Sequence, residues 1–109
     1  MWVSGLGGEQ LANATLESML AIVRFDTSGA EGPLLVRAEA ALSALSRCPG
    51  FERGWFAQST DEPSVWTLTT LWRSVGAYRR ALSTYDVKIH ATPFMYEARE
   101  ESTGFEVRI

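Results

Sequence analysis

The chain has few of the residues from which disulfides and metal sites are built. Its 109 residues include one cysteine, Cys48, and one histidine, His90. A single cysteine excludes a disulfide within the chain, and this suits the reducing cytoplasm in which we expect the protein to work. One imidazole and one thiol also cannot supply the nitrogen and sulfur ligands of a zinc site. The sequence therefore predicts no metal centre of this type.

The sequence also lacks long apolar runs and concentrated positive charge. No run approaches the ~20 apolar residues of a transmembrane helix. Residues 1–18 have neither the basic start nor the apolar centre of a signal peptide. The net charge is −3 and the basic residues are scattered, whereas nucleic-acid binding needs a concentrated positive surface. We therefore expect neither a membrane partner nor a nucleic-acid partner.

Tryptophan is what the sequence has in excess, with four in a chain of this length. Large aromatic side chains of this kind line ligand pockets and subunit interfaces. The length predicts one domain. Residues 1–18 are rich in glycine and small residues and show no sustained period, so we interpret them as a flexible extension. Only Trp2 favours a docking arm instead. The structured domain is predicted over residues 19–109.

Hydrophobic periodicity predicts the element order β-α-β-β-α-β. The predicted strands cover residues 19–27, 51–59, 64–72 and 104–109. Pro33 is suited to the first turn of one helix, Ser74 caps a second, and Asp86 is predicted to cap a further short helix. This order is typical of the ferredoxin-like α+β fold, an antiparallel sheet with both helices on one face.

The third predicted strand is partly apolar on both faces. Alternation places Trp66, Leu68, Thr70 and Trp72 on one face and Val65, Thr67, Thr69 and Leu71 on the other. Helices can cover one face, and a second copy of the chain can cover the other. Burying ~600 Å² of apolar surface per subunit is worth on the order of 15 kcal/mol before association costs. We therefore expect a homodimer with its sheets face to face.

Five segments together resemble a known family. They read "MLAIVRF", "CPGFERGWFAQSTDEPSVWTLTTLWRS", "GAYRRAL", "DVKIHATP" and "FEVRI". Over residues 19–109 the chain resembles the antibiotic biosynthesis monooxygenase family of dimeric α+β barrels. The resemblance implies a cofactor-independent monooxygenase that uses O2 to oxidise a phenolic or polycyclic aromatic metabolite, with no flavin, haem or metal. It is less specific for the reaction, because the family also includes haem-degrading enzymes.

The catalytic candidates lie in the segment "LWRSVGAYRRALSTYDVKIH", from Leu71 to His90. The resemblance places Trp72 at the family's pocket tryptophan, whose indole N–H could hold an oxygen atom of substrate or O2. Tyr78 lies on the inward stripe of the second predicted helix and could donate to a phenolic oxygen. The alternatives are a core aromatic at Trp72 and a hydroxyl at the protein surface for Tyr78.

His90 is the third catalytic candidate, because only its side chain has an unperturbed pKa near neutrality. It falls roughly where haem-degrading relatives place their iron-ligating histidine. Its spacing from Trp72 is longer, however, and Val23 stands where those relatives carry asparagine. The resemblance therefore disfavours haem breakdown in this chain. A surface or helix-capping role is the alternative for His90.

Three residues are predicted to bind substrate: Arg79, Trp66 and Thr70. Arg79 could pair with a substrate anion, although a solvated arginine is the alternative. Trp66 and Thr70 could line a cavity if their face of the sheet meets the helices. No two catalytic groups stand at a diagnostic spacing. The alternative function is therefore a non-catalytic dimeric barrel that binds a small hydrophobic molecule or a protein partner.

Overall fold

The computed structural model describes residues 14–109, which form a four-stranded antiparallel sheet with helices. The strands are β1 (Met19–Asp26), β2 (Phe51–Gln58), β3 (Val65–Trp72) and β4 (Gly104–Glu106). The helices are α1 (Glu31–Ser46), α2 (Val75–Leu82), α3 (Tyr85–His90) and α4 (Thr92–Met95). The sheet order β2-β3-β1-β4 confirms the predicted ferredoxin-like arrangement. Trp2 and most of the predicted extension lie outside the described residues.

Alternation along β1 sets which face of the sheet carries the core. Met19, Ala21, Val23 and Phe25 are all buried, whereas the residues between them are half-buried or exposed. β1 pairs with β3 so that Val23 lies opposite Leu68 and Ala21 opposite Thr70. The buried residues of both strands therefore share one face, and helices α1 to α4 pack against that face.

Small residues let α1 pack closely on the sheet. The helix buries Ala38, Ala41 and Ala44 together with Leu45. On β2, a Cβ added to Gly54 would lie 2.6 Å from Cδ1 of Leu42, so a larger residue at this strand position would force that side chain to shift. The spacing of the apolar residues therefore predicted α1 correctly, although the inward face of the helix is made mainly of alanine.

The turn from α1 into β2 depends on a second glycine. Gly50 has a φ of 91°, a left-handed conformation that residues with a Cβ rarely adopt. A Cβ there would also collide with Ala77 on α2. Its carbonyl accepts a hydrogen bond from the N–H of Arg73, at 2.8 Å. Gly50 thus lets the turn after α1 pack against the start of α2.

The predicted start of α2 is confirmed, but the predicted cap of α3 is wrong. Oγ of Ser74 accepts a hydrogen bond from the N–H of Ala77, at 3.1 Å. α3 begins one residue before Asp86, with Thr84 in the capping position. The Thr84 hydroxyl bonds back to the carbonyl of Ala81, at 2.8 Å, so the chain leaves α2 and starts α3 there. Asp86 lies in the first turn, 3.8 Å from Arg47.

The last strand is shorter than the predicted range of 104–109. β4 pairs antiparallel with the beginning of β1, and Glu106 lies opposite Met19, the first residue of β1. Beyond Glu106, the N–H of Val107 donates to the carbonyl of Ser18, at 3.0 Å. Residues 107–109 therefore have no further length of β1 to pair with. Among residues 14–109, no helix has the length and apolar character to span a bilayer.

Candidate functional site

Trp72 is sealed in the core where β3 ends. Its side chain is fully buried, and its Nε1–H donates to Oγ1 of Thr70 at 2.7 Å. The ring of Phe51 packs edge-on against it, with 5.3 Å between ring centroids. Alternation places Thr70 and Trp72 on the same face of β3, which is why the hydroxyl can reach the indole. The indole N–H is thus satisfied inside the protein.

Tyr78 lies beside Trp72 but has different surroundings. Their ring centroids are 5.4 Å apart. Tyr78 is one helical turn beyond the Ser74 cap, and its side chain is 9% exposed. Among residues 14–109, its hydroxyl has no hydrogen-bond partner, and the residue lines two separate cavities. The Tyr78 hydroxyl is therefore free to form a hydrogen bond with a ligand in either cavity.

Burial also fixes the protonation state of Tyr78. Desolvation raises the pKa of its phenol above the usual value near 10, because the charged form is disfavoured away from water. At neutral pH the group is therefore a neutral phenol that can donate its proton in a hydrogen bond. It is not suited to act as a base on its own.

The first cavity has a volume of about 490 Å³ and lies between β1 and helices α2, α3 and α4. Its apolar wall includes Val23, Leu82 and Met95. Its polar groups are Tyr78, Lys88, Thr92, Tyr96, Arg99 and Thr103. A space of this size, mostly apolar with a few polar groups, is typical of small-molecule sites.

The second cavity has a volume of about 670 Å³ and lies between α2, the start of β1 and β4. Tyr78 and Leu82 line both cavities, so these two side chains form a wall that the cavities share. The second cavity is also lined by Arg79 and by Arg108, which is 3.0 Å from Glu106. Its β4 wall is exposed, and Phe105 there is 45% exposed.

A double hydrogen bond holds one wall of the first cavity. Nε and Nη2 of Arg99 both donate to the carboxylate of Asp26, each at 2.7 Å. The backbone N–H of Arg99 donates to the carbonyl of Arg24, at 2.8 Å. These bonds fasten residues 96–103 beside β1. The hydrogen bonds from Arg99 also hold the pKa of Asp26 below its usual value.

A second ion pair fastens α4 to α1. Arg37 on α1 binds the carboxylate of Glu97, just after α4, through two hydrogen bonds. Its guanidinium also lies 5.1 Å from the ring centroid of Phe94. Bonding to Arg37 lowers the pKa of Glu97. Both pairs are largely exposed, so they contribute to positioning more than to stability.

The structure brings only some of the sequence-predicted site residues to the cavities. Tyr78 lines both, and the exposed Arg79 lines the second. Trp72, Thr70 and Trp66 are buried and line neither; Trp66 stacks on Phe56 with 5.0 Å between centroids. His90 is exposed at the end of α3 and also lines neither. The roles predicted for these residues stay predictions.

Apart from Tyr78, sequence reasoning missed the polar groups of the first cavity. Lys88 and Thr92 are four residues apart and both line the cavity, although a helix break lies between them. Lys88 is the only lysine of the chain, beside nine arginines, and that could have drawn attention to it. Arg99 and Thr103 follow the last helix and give no local signal. Within residues 14–109, no three His, Cys, Asp or Glu side chains form a group that could hold a metal ion.

Comparisons with solved structures find the same fold in several proteins. SnoaB, a cofactor-independent oxygenase from Streptomyces nogalater, aligns with a TM-score of 0.74 and 24% identity, covering 85% of this chain and 95% of SnoaB. A conserved protein from Methanosarcina mazei aligns with a TM-score of 0.71 and 10% identity, with the same coverage of 85% and 95%. A candidate antibiotic biosynthesis monooxygenase from Chloroflexus aurantiacus aligns at 0.64 and 18%, covering 84% and 93%.

This chain has the fold of these proteins. The resemblance inferred from the sequence is therefore confirmed at the level of the fold. No family model matches the chain, and no curated protein sequence matches it significantly. At these identities a shared fold does not carry a shared substrate, so the reaction has to be argued from the site.

Proposed function

We propose that this protein is a cofactor-independent monooxygenase of the antibiotic biosynthesis monooxygenase family. Its substrate is a phenolic or polycyclic aromatic compound, and its oxidant is O2. The observation that carries the proposal is the pair of cavities that meet at Tyr78, a buried phenol whose hydroxyl has no partner among residues 14–109. The shared fold with a cofactor-independent oxygenase supports it.

The chemistry needs no electron source other than the substrate. In an anthrone, a ring CH2 loses a proton to give a phenolate-like anion that reacts with O2. One oxygen atom stays on carbon as a ketone, and the other leaves as water with the two hydrogens of the CH2 group. The protein has to exclude water and stabilise the developing oxyanion. A neutral Tyr78 can donate a hydrogen bond to that oxygen.

Oxygen uptake tests this proposal directly. The purified chain is mixed with a panel of anthrones, quinols and polycyclic phenols, and dissolved O2 is followed with an electrode while products are identified by mass spectrometry. We expect uptake of one O2 per ketone formed with at least one anthrone, without added flavin, haem or metal. No uptake above the uncatalysed rate across the panel would contradict the proposal.

Ligand binding without turnover is the second candidate function. It is favoured by one observation: of the three predicted catalytic residues, Trp72 is sealed and His90 is exposed, which leaves only Tyr78 at a cavity. This alternative predicts that aromatic compounds raise the melting temperature of the protein while O2 is not consumed. Haem binding is the third candidate function, and Val23, at the position where haem-degrading relatives carry asparagine, argues against haem breakdown.

We also propose that the protein forms a homodimer through the outer face of its sheet. Among residues 14–109, no helix packs on this face, which carries the half-buried Leu20 and Ile22 and the buried Leu71. Trp55 lies opposite Thr69 and is 46% exposed, and Phe105 lies opposite Leu20. Exposed apolar patches of this kind mark association surfaces.

The mass of the protein in solution tests the dimer. Thr69→Arg places a charge at the centre of the outer face, where two copies would repel each other. Analytical ultracentrifugation should show a dimer for the unmodified chain and a monomer for Thr69→Arg. Ser43→Arg, an exposed position on α1, is the matched control and should remain dimeric. A monomeric unmodified chain would refute this arrangement.

A further inference from the structure

We infer that Lys88 recognises an anionic oxygen on the aromatic ligand of the first cavity, a carboxylate or a phenolate. The inference rests on the proposed function for the identity of the site, and it adds the charge of the ligand. Lys88 lines the cavity from α3, close in sequence to Thr92 on the same cavity wall. An ammonium group is a strong, mobile donor to such oxygens.

The charges around the first cavity favour an anion. The chain as a whole is acidic, with a net charge of −3. Yet the residues that line this cavity include two cations, Lys88 and Arg99, and no aspartate or glutamate. An unpaired cation on a cavity wall that carries no carboxylate attracts anions.

Only one of these two cations is available to a ligand. Arg99 is occupied by Asp26 through two hydrogen bonds. Glu62 and Glu101 also act on its charge. Lys88 has no ion pair and no side-chain hydrogen bond within residues 14–109, and the neighbouring carboxylate of Asp86 is close to Arg47 instead. Lys88 is therefore the free positive charge at the first cavity.

The second cavity differs in having a carboxylate among its lining residues. Its cation Arg108 is paired with Glu106 on the same wall, and this carboxylate would repel an anion. Arg79 also lines this cavity without an ion pair among residues 14–109 and is exposed, as Lys88 is, but it shares the cavity with the Glu106 carboxylate. The anionic end of a ligand is therefore expected in the first cavity, at Lys88. Tyr78 is the neutral donor on the wall that both cavities share.

Calorimetric titration with matched probes tests the inference on the full chain. Naphthoate is compared with methyl naphthoate for the carboxylate, and dinitronaphtholate with its methyl ether for the phenolate. We expect at least one anion to bind about tenfold more tightly than its neutral ether or ester, because a hydrogen bond to a charged group is lost in the neutral probe. The pair that shows the preference identifies which anion the site takes.

Variants assign the preference to Lys88. In Lys88→Gln the anion and its neutral counterpart should bind within about twofold of each other, because the charge that distinguishes them is gone. Lys88→Arg should keep most of the preference. Arg80→Gln removes the same charge from α2 at a position that lines neither cavity, and it should leave the preference unchanged.

The outcomes separate this inference from the proposed function. An unchanged preference in Lys88→Gln, an equal loss in Arg80→Gln, or no binding of either probe pair by the unmodified chain would overturn the role of Lys88, whatever the oxygen uptake shows. A preference that depends on Lys88 in a protein that consumes no O2 would support the role of Lys88 and refute the oxygenase.

Discussion

Trp72 and Tyr78 are two aromatic side chains with ring centroids only 5.4 Å apart, yet only Tyr78 lines the two cavities. Trp72 is fully buried, and its only polar group is bonded to Thr70. Tyr78 is nearly as buried, but it lines two cavities and its hydroxyl is unpaired within residues 14–109. The same aromatic cluster therefore contains a closed region and an open one.

This difference shows which of the two side chains has a polar atom free to bind a ligand. A polar atom that is already satisfied has to break a bond before it can serve a ligand, and inside a protein that costs the full desolvation of the group. An unpaired hydroxyl at a cavity has no such cost. We therefore expect changes at Trp72 to act mainly on folding and changes at Tyr78 mainly on binding and turnover.

The largest expected effect is on the closed region. Trp72→Ala should lower the free energy of unfolding by about 3–5 kcal/mol, because a large buried ring is replaced by a cavity. Urea denaturation followed by circular dichroism measures this. The control is Tyr85→Ala, since Tyr85 is 76% exposed, and it should change little. A Trp72→Ala protein of nearly unchanged stability would mean that the indole is not part of the core.

Thr70→Val tests the hydrogen bond that closes this region. The substitution keeps the shape of the side chain and removes the acceptor, which leaves the indole N–H of Trp72 unpaired in the core. We expect a loss of about 1–3 kcal/mol in unfolding free energy. Thr67→Val, on the opposite face of the same strand, is the matched control. Equal effects of the two variants would show that the bond from Trp72 to Thr70 contributes nothing specific.

Sequence patterns predicted the order of the elements well, because alternation along β1 and β3 and the Ser74 cap are local signals. Two details were not local. β4 ends early because its partner β1 begins at Met19, and α3 starts before Asp86 because Thr84 bonds back to α2. Each depends on a contact with another element, which a local pattern does not specify.

The candidate site was predictable in part for the same reason. The helical stripe correctly indicated that Tyr78 faces inward. Strand alternation placed Thr70 and Trp72 on one face, but it could not show that the hydroxyl and the indole bond to each other. Val23 and Lys88 line the same cavity from distant parts of the chain, so only the folded structure brings them together.

Asp26→Asn tests the ion pair between Asp26 and Arg99 beside the first cavity. Because bonding to Arg99 lowers the pKa of Asp26 in the folded state, the pair stabilises the protein above the unfolded carboxyl pKa of about 3.9. This stabilisation is lost as the pH falls through the lower, folded pKa. At neutral pH we therefore expect a slightly lower melting temperature for Asp26→Asn.

The decisive measurement is how the difference in melting temperature between the unmodified protein and Asp26→Asn changes with pH. Melting temperatures of the two proteins should converge as the solution is acidified below the folded pKa of Asp26, because both side chains are then neutral. Asp61→Asn changes a carboxylate that forms no ion pair within residues 14–109, and it should show no such convergence. A constant difference at all pH values would argue against the ion pair as its cause.

The smallest expected effect is at His90. The sequence makes His90 a candidate general base, and removing a general base lowers turnover by roughly 10²–10⁴-fold. Its exposed position, away from both cavities, predicts instead that His90→Ala leaves oxygen uptake unchanged. Rates measured between neutral and mildly alkaline pH decide between the two. A large loss would restore His90 to the site and would require α3 to move toward the cavity.

Tyr78→Phe tests the central claim most directly, because it removes one oxygen atom from the open region and leaves the ring. With a substrate that the unmodified protein oxidises, we predict a fall in kcat/KM of about tenfold to a hundredfold, the value of a hydrogen bond to a charged oxygen. Unfolding free energy should change by less than about 0.5 kcal/mol, since the hydroxyl has no protein partner to lose. Unchanged kcat/KM, or a loss that merely follows a loss of stability, would contradict the role assigned to Tyr78.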